Sequence, residues 1–206
     1  MGRLLTTLEI TPQNPLRRAY ERDPAAAEKW VRETYARLKR RAKRLGATIF
    51  FLDEAGFQSN PPLGLTYGLK RDTPVVVTSG QRQSINVISA VTARGDFWAA
   101  TYIGKLIAGA FVAFLQDFMK DCTGRVFLVV DGHPAHKANA VKRYIQSLEE
   151  GLELHFLPPY GPDLNPDEFV RCQVKTNGVS KRRLKKNEFM PKRVEEELAA
   201  IKGDPE

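Results

Sequence analysis

Apolar residues recur along this chain with two periods, and the switches between them mark out the elements. From Ala25 the period is helical: Ala27, Trp30, Val31, Tyr35, Leu38, Ala42 and Leu45 share one face, and Gly46 stops the run. TIFFLD (48–53) then predicts a short buried strand that ends in an acid, followed by a loop rich in Gly, Asn and Pro to about Gly68. VVVT (75–78) and INVISAVT (85–92) read as strands, and DFWAATYI (96–103) pairs with the latter across an Arg94-Gly95 turn. Residues 107–121 place Ile107, Phe111, Phe114, Leu115 and Phe118 on one helical face. VFLVVD (126–131) is a second buried strand ending in an acid; 135–148 reads as helix and LELHFL (152–157) as the last strand. Beyond the proline-rich loop at 158–162, Asn165 is expected to cap a helix, with Pro166 at its first position and Asp167 and Glu168 in its first turn. A final helix is expected over 188–202. Hairpin strands followed by alternating helices and strands imply an α/β fold, a mixed central sheet with helices on both faces. Residues 1–24 read as a lead-in and 25–206 as one domain with a basic tail over 170–206.

Composition narrows the class. A chain of 206 residues can bury roughly 70% of its unfolded surface as one domain. Its 42% hydrophobic content excludes intrinsic disorder. Two cysteines, Cys122 and Cys172, exclude a disulfide scaffold and fit a reducing compartment. No apolar run reaches the ~18 residues of a membrane span, so a cytoplasmic location is expected. The net charge of +8 is divided unevenly. Residues 1–47 carry 12 basic and 5 acidic side chains, 48–169 carry 10 and 13, and 170–206 carry 10 and 6. An acidic middle between basic ends reads either as solvated helices around a core or as a nucleic-acid grip around a metal centre. Arg40, Arg41, Lys43 and Arg44 are one candidate grip, although basic residues there also complement the helix dipole. Lys181, Arg182, Arg183, Lys185 and Lys186 are the other.

The acids carry the candidate chemistry. Asp53 and Asp131 end apolar strands, where a charge has little water to solvate it, and Asp167 or Glu168 opens the helix after a third strand. Three converging carboxylates need a cation between them, and oxygen-only ligation suits Mg²⁺ or Mn²⁺. Two such ions ~4 Å apart stabilise both the attacking and the leaving oxygen of a phosphodiester. Taken singly, Asp53 and Asp131 also suit turns, and Glu168 a capping box with Asn165. Asp167 and Glu168 lie ~100° apart on a helix, and spacing does not choose between them. Glu54 is expected on the opposite side of its strand from Asp53 and is the weaker candidate. His133 and His136 lack a third ligand at zinc spacing, and His155 reads as packed.

FFLDEAGF (50–57), FLVVDGHPAHKA (127–138) and PPYGPDLNPDEF (158–169) resemble the three catalytic blocks of bacterial insertion-sequence transposases, in the mariner-related branch of the DDE superfamily. TPVVVTSGQRQSINVISAV (73–91) is similar to the same family, and the resemblance runs over roughly 28–202. It implies a ribonuclease H-like fold with Asp53 beside Asp131, and it matches Glu168 to the third acid. It further implies two Mg²⁺ (or Mn²⁺) ions held by Asp53, Asp131 and Glu168. The implied activity is cleavage of DNA at element ends and strand transfer to target DNA, in association with the nucleoid. A homodimer and a separate helix-turn-helix polypeptide are expected partners, because full-length relatives carry an N-terminal helix-turn-helix region of which this chain is expected to keep only a stub. Arg171 stands where relatives usually carry an aromatic residue. One turn from Glu168, it is expected to pair with that carboxylate and compete with metal. A non-catalytic DNA-binding remnant is the rival reading.

Overall fold

Asp23 opens the first helix described along its length by accepting hydrogen bonds from the N–H groups of Ala25 (2.9 Å) and Ala26 (3.1 Å), with Pro24 in the first helical position. The computed structural model describes residues 7, 21–59, 75, 83–175 and 188–203. The first helix is continuous but not uniform: α1 (Pro24–Lys29) passes into a π-helical stretch (Trp30–Tyr35) and then α2 (Ala36–Leu45). A wider turn brings residues five apart into line. Trp30 accordingly stacks on Tyr35, 5.4 Å between centroids and nearly parallel, and Tyr35 meets the edge of Phe51. Gly46 ends the helix in the left-handed region at φ 64°, where a side chain is disfavoured.

Five strands follow, β1 (Thr48–Gln58), β2 (Ser84–Thr92), β3 (Phe97–Tyr102), β4 (Val126–Val130) and β5 (Leu152–Phe156), in the spatial order β3-β2-β1-β4-β5. β1, β2 and β3 are antiparallel neighbours, whereas β4 and β5 run parallel to β1. The sheet is therefore mixed, as the element order predicts. β1 runs to Gln58, five residues beyond the expected strand end at Asp53. Its extension pairs with β2 as far as Gln58 opposite Ser84, and Ala55 and Phe57 bury beneath the C-terminal helix.

Side chains alternate across the sheet and build a core on each face. On one face Phe50, Leu52, Ile88, Val126, Leu128 and Val130 pack against Phe111, Phe114, Leu115 and Phe118 of α3 (Ala108–Asp121) and Val141 of α4 (Asn139–Ser147). On the other, Phe51, Phe127 and Val129 receive Trp30, Leu38 and Ala42. Further along that face, Ala55, Phe57, Ile85 and Val87 receive Met190, Val194 and Leu198 of the C-terminal helix, Met190–Gly203. All five residues of β4 are buried, as a central parallel strand requires.

The expected helix over 135–148 is divided. Pro134–Lys137 form a 3-10 turn, Ala138 is extended, and α4 starts at Asn139. His133 directs the turn, because its Nδ1 accepts from the N–H of Ala135 (3.2 Å) just as Pro134 fixes the backbone. Of the expected strand at 75–78 only Val75 is described, and the basic run from Lys181 to Lys186 lies outside the described residues. Among the described residues no helix is long and apolar enough to cross a membrane.

Candidate active site

The parallel ladder between β1 and β4 ends with Phe51 opposite Val129, and two residues further along each strand stand Asp53 and Asp131. The third element arrives by a polar tie. Asn165 donates from Nδ2 to the carbonyl of Leu52 (2.8 Å), and its Oδ1 accepts from the N–H of Asp167 (3.1 Å). Helix α5 (Asp167–Gln173) starts one residue later than expected, with Pro166 at the cap position, and the buried amide of Asn165 just before it fastens its start to β1 next to Asp53. Asp53, Asp131 and Glu168 line a single cavity of about 600 Å³, together with Asn165, Lys137 and the loop Phe156–Pro162.

Asp53 and Asp131 each have one oxygen tied by backbone. Asp53 Oδ1 accepts from the N–H of Glu54 (2.9 Å), while its Oδ2 is buried and has no hydrogen-bond partner among the described residues. Burial pushes the Asp53 carboxyl up to about 7; the Glu54 N–H opposes the rise and the Glu168 charge adds to it. Asp131 Oδ1 accepts from the N–H of His133 (2.8 Å) and lies 3.0 Å from His136 Nδ1. The hydrogen bond from His136 holds the Asp131 carboxyl below the usual range, against a smaller effect of burial. Glu168 is ion-paired with Arg171, three residues on, as expected.

Of the two acids that open α5, only Glu168 reaches the cavity. Asp167 is buried beneath β2, where its Oδ2 accepts from the Ser89 hydroxyl (2.6 Å). Ser89 is the cross-strand neighbour of Asp53. Burial raises the Asp167 carboxyl to about 8, and the Ser89 hydrogen bond only partly offsets this. Helical geometry separates these neighbours, as the ~100° offset requires.

Glu54 does point away from Asp53, yet it is not remote from the acids. Its Oε1 lies 2.7 Å from Nε2 of His136, a wholly buried ring packed on Phe111. Burial lowers the His136 pKa, but its hydrogen bonds to Asp131 and Glu54 outweigh burial and raise it to about 9. Glu54, Asp131 and His136 lie close enough to suggest chelation. However, the imidazole stands between the carboxylates and turns a different nitrogen to each, so no single ion takes all three. Lys137 also lines the cavity, the only cation among its described lining residues.

The basic cluster of the first helix lies elsewhere. Trp30 Nε1 donates to the carbonyl of Phe156 at the end of β5, whereas Arg41 pairs with Glu153 near its beginning (2.5 Å) and covers Phe127. Arg40, Arg41, Lys43 and Arg44 therefore sit at the sheet edge opposite the acids. Arg41 is occupied by Glu153; Arg40, Lys43 and Arg44 are exposed.

The donor set fits a hard divalent cation. The cavity gathers three carboxylates, one with a buried oxygen that lacks a partner.

A five-stranded mixed sheet in this order, with one acid within β1, one just past the end of β4 and one at a helix start, is a ribonuclease H-like fold. Residues 48–190 match the family model for the DDE superfamily endonuclease, and the chain belongs to that family. A winged helix-turn helix model matches residues 1–34. Similar solved structures include a Mos1 transposase paired-end complex with the left transposon end (TM-score 0.68, 17% identity, 97% of this chain and 62% of that one). The catalytic domain of Mos1 mariner transposase is also similar (TM-score 0.60, 16% identity, 91% and 88%), as is the mariner Mos1 paired-end complex with Mg (TM-score 0.60, 19% identity, 98% and 67%). The chain thus spans 62% of the transposase chain in the first of these complexes. No curated protein matches it.

Proposed function

We propose that this chain is a transposase catalytic domain that cleaves DNA at mobile-element ends and joins the freed strand to a target. The observation that carries the reading is the convergence of Asp53, Asp131 and Glu168 on one cavity of a DDE-family fold. Asp53, Asp131 and Glu168 would hold Mg²⁺ or Mn²⁺, two ions in all. When bound, the metal supplies a lowered water pKa and stabilisation of the leaving oxygen. In the first reaction water attacks phosphorus, the P–O3′ bond breaks, and a 3′-hydroxyl is released. In the second that hydroxyl attacks a target phosphorus, the target P–O3′ bond breaks, and a target 3′-hydroxyl is released as the new phosphodiester forms. The residues contribute position and charge: Asn165 fixes α5 to β1, and Lys137 would face substrate phosphate.

The wider grip is read from charge. Arg40, Lys43 and Arg44 would hold phosphates of the duplex away from the scissile one, and Lys181, Arg182, Arg183, Lys185 and Lys186 extend the basic surface. Residues 1–24 would act as a lead-in from a recognition module of winged helix-turn helix kind, in this chain or a separate polypeptide, with residues 25–206 as the catalytic unit. Assembly as a homodimer on paired ends and a nucleoid location accord with this reading.

The test is nicking of supercoiled DNA by the purified chain with Mg²⁺ or Mn²⁺, beside Asp131→Asn. Nicking that needs metal and is lost in the variant is expected. No metal-dependent nicking above the Asp131→Asn background would sink the enzyme reading and favour the DNA-binding remnant. Arg171 bears on the same choice. Its guanidinium neutralises Glu168 and lowers the proton affinity of Asp53. Removing a partly exposed pair of this kind frees about 0.2–1 kcal/mol of competition. Arg171→Ala should therefore tighten Mn²⁺ binding by about 1.4- to 5-fold in a titration; unchanged or weaker binding counts against competition between Arg171 and metal.

A further inference from the structure

Two residues outside the proposed acid trio converge on it from behind. Glu54 donates its backbone N–H to Asp53 Oδ1 and, from the other face of β1, places Oε1 on His136 Nε2. The other ring nitrogen of His136 lies 3.0 Å from Asp131 Oδ1 and 3.4 Å from the Asp131 carbonyl, and Oδ1 also accepts from the N–H of His133. Oδ1 of Asp131 is thus occupied twice, and Oδ2 is left with no hydrogen bond among the described residues. Asp53 shows the same division, with Oδ1 tied and Oδ2 without a partner. One residue therefore reaches both aspartates, one through its main chain and the other through a buried ring.

The surroundings leave the ring little freedom. His136 is carried on the 3-10 turn that Pro134 starts, five residues after Asp131, and its side chain is fully buried. It packs on Phe111 at 4.4 Å between ring centroids. A buried imidazole held at both nitrogens has one orientation, and so does a carboxylate oxygen held by it. Exposed acids generally sample several rotamers. Asp131 is half exposed on its side chain, so without the ring only the His133 N–H would hold its carboxylate against rotation toward solvent.

We propose that Glu54 and His136 are positioning residues, a half-buried carboxylate on a buried imidazole that fixes Asp131 with Oδ1 turned inward and Oδ2 presented to the cavity. The inference rests on the metal-site reading above and deepens it. Groups that orient a metal's ligands typically contribute 10- to 100-fold in affinity or activity. Neither Glu54 nor His136 need touch metal or DNA for this effect.

The experiment uses the full chain and Mn²⁺ alone, read by paramagnetic resonance, with thermal melting of the metal-free variants as a check on folding. Two isosteric pairs separate positioning from packing. His136→Asn keeps a donor where Nδ1 meets Asp131, whereas His136→Gln keeps one where Nε2 meets Glu54. The asparagine variant is expected to bind Mn²⁺ within about 5-fold of the parent, and the glutamine variant to lose about 10-fold or more. Likewise Glu54→Gln, whose amide can still hold the ring, is expected to retain binding that Glu54→Ala loses. In nicking assays the losses should fall on kcat rather than on KM for DNA. Equal Mn²⁺ affinity within both pairs, or losses that only track melting temperature, would overturn the proposal while leaving the metal site standing. A parent chain that binds no Mn²⁺, or binds it equally well as Asp53→Asn, overturns the site reading and this inference with it.

Discussion

Asp53→Asn is expected to reduce metal-dependent nicking by about 10²–10³-fold or more and, at pH 8, to make the metal-free chain more stable than its parent. The two effects have one cause. Asp53 is held in a buried position with Oδ2 unpartnered and with the Glu168 charge close by, so its ionised form is disfavoured until about pH 7. Each unit of upward shift disfavours the ionised folded state by ~1.4 kcal/mol. Asparagine removes the charge, keeps an acceptor for the Glu54 N–H, and offers the neighbouring carboxylates a donor. A gain of about 1–3 kcal/mol at pH 8 follows, which should be smaller at pH 5 and vanish only below about pH 4, where folded and unfolded aspartates are both protonated. Calorimetric melting at these pH values measures it. A variant less stable than its parent at pH 8 would mean that Asp53 is structural, not a metal-binding group kept at a cost to stability.

Metal-free chain should lose stability steadily between about pH 5 and pH 9. Asp53 and Asp167 have folded-state values of about 7 and about 8, above those of an unfolded aspartate. Across that interval the folded chain binds protons that the unfolded chain has released, so rising pH favours unfolding. His136 acts in the same direction. Its pKa is raised to about 9, so its contribution is full below the ordinary histidine value of about 6.5 and is lost as pH climbs to 9. Asp131 has the opposite sign: its lowered value contributes stability above the ordinary aspartate range, lost only in stronger acid. Since 1 kcal/mol shifts the melting point of a domain this size by roughly 2–4 °C, a fall of about 5–10 °C from pH 5 to pH 9 is expected. Mn²⁺ should restore more of it at pH 8 than at pH 5, because it binds the ionised acids. A flat or rising melting curve would contradict the buried, proton-retaining site.

Much of this arrangement is legible in the sequence, for identifiable reasons. Buried parallel strands are continuous apolar runs, so TIFFLD and VFLVVD stand out, and the acid at the end of each is conspicuous. The adjacency of Asp53 and Asp131 is not a local property. It comes from the pairing of β1 with β4, which the resemblance implies and the ladder displays. Gly56 and the polar residues after it read as loop, but β2 supplies a partner that carries β1 to Gln58. Alternation correctly turns Glu54 away from Asp53. What alternation cannot convey is that a histidine from another loop would meet Glu54 and lead back to Asp131. The spacing of Asp131, Pro134 and His136 held the signal, since a proline-started turn can fold the later side chain beneath the earlier one. Arg41 likewise reads as part of a basic cluster; only the fold brings Glu153 to it. Between Asp167 and Glu168 spacing gives no choice, and the Asn165 tie to Leu52 provides it by setting the rotation of α5.

The pairing of β1 on both edges has a genetic corollary. Consecutive residues of a strand face opposite ways, and here an acid faces each way at 53 and 54. Loss of a single codon between Ala47 and Leu52 would leave every carboxylate in the translated product. It would nevertheless set Glu54 in the slot of Asp53, or else turn the apolar residues of β1 out of their layers. A gene copy silenced in this manner would pass any census of its acids, and only the parity of the residues that precede them would betray it.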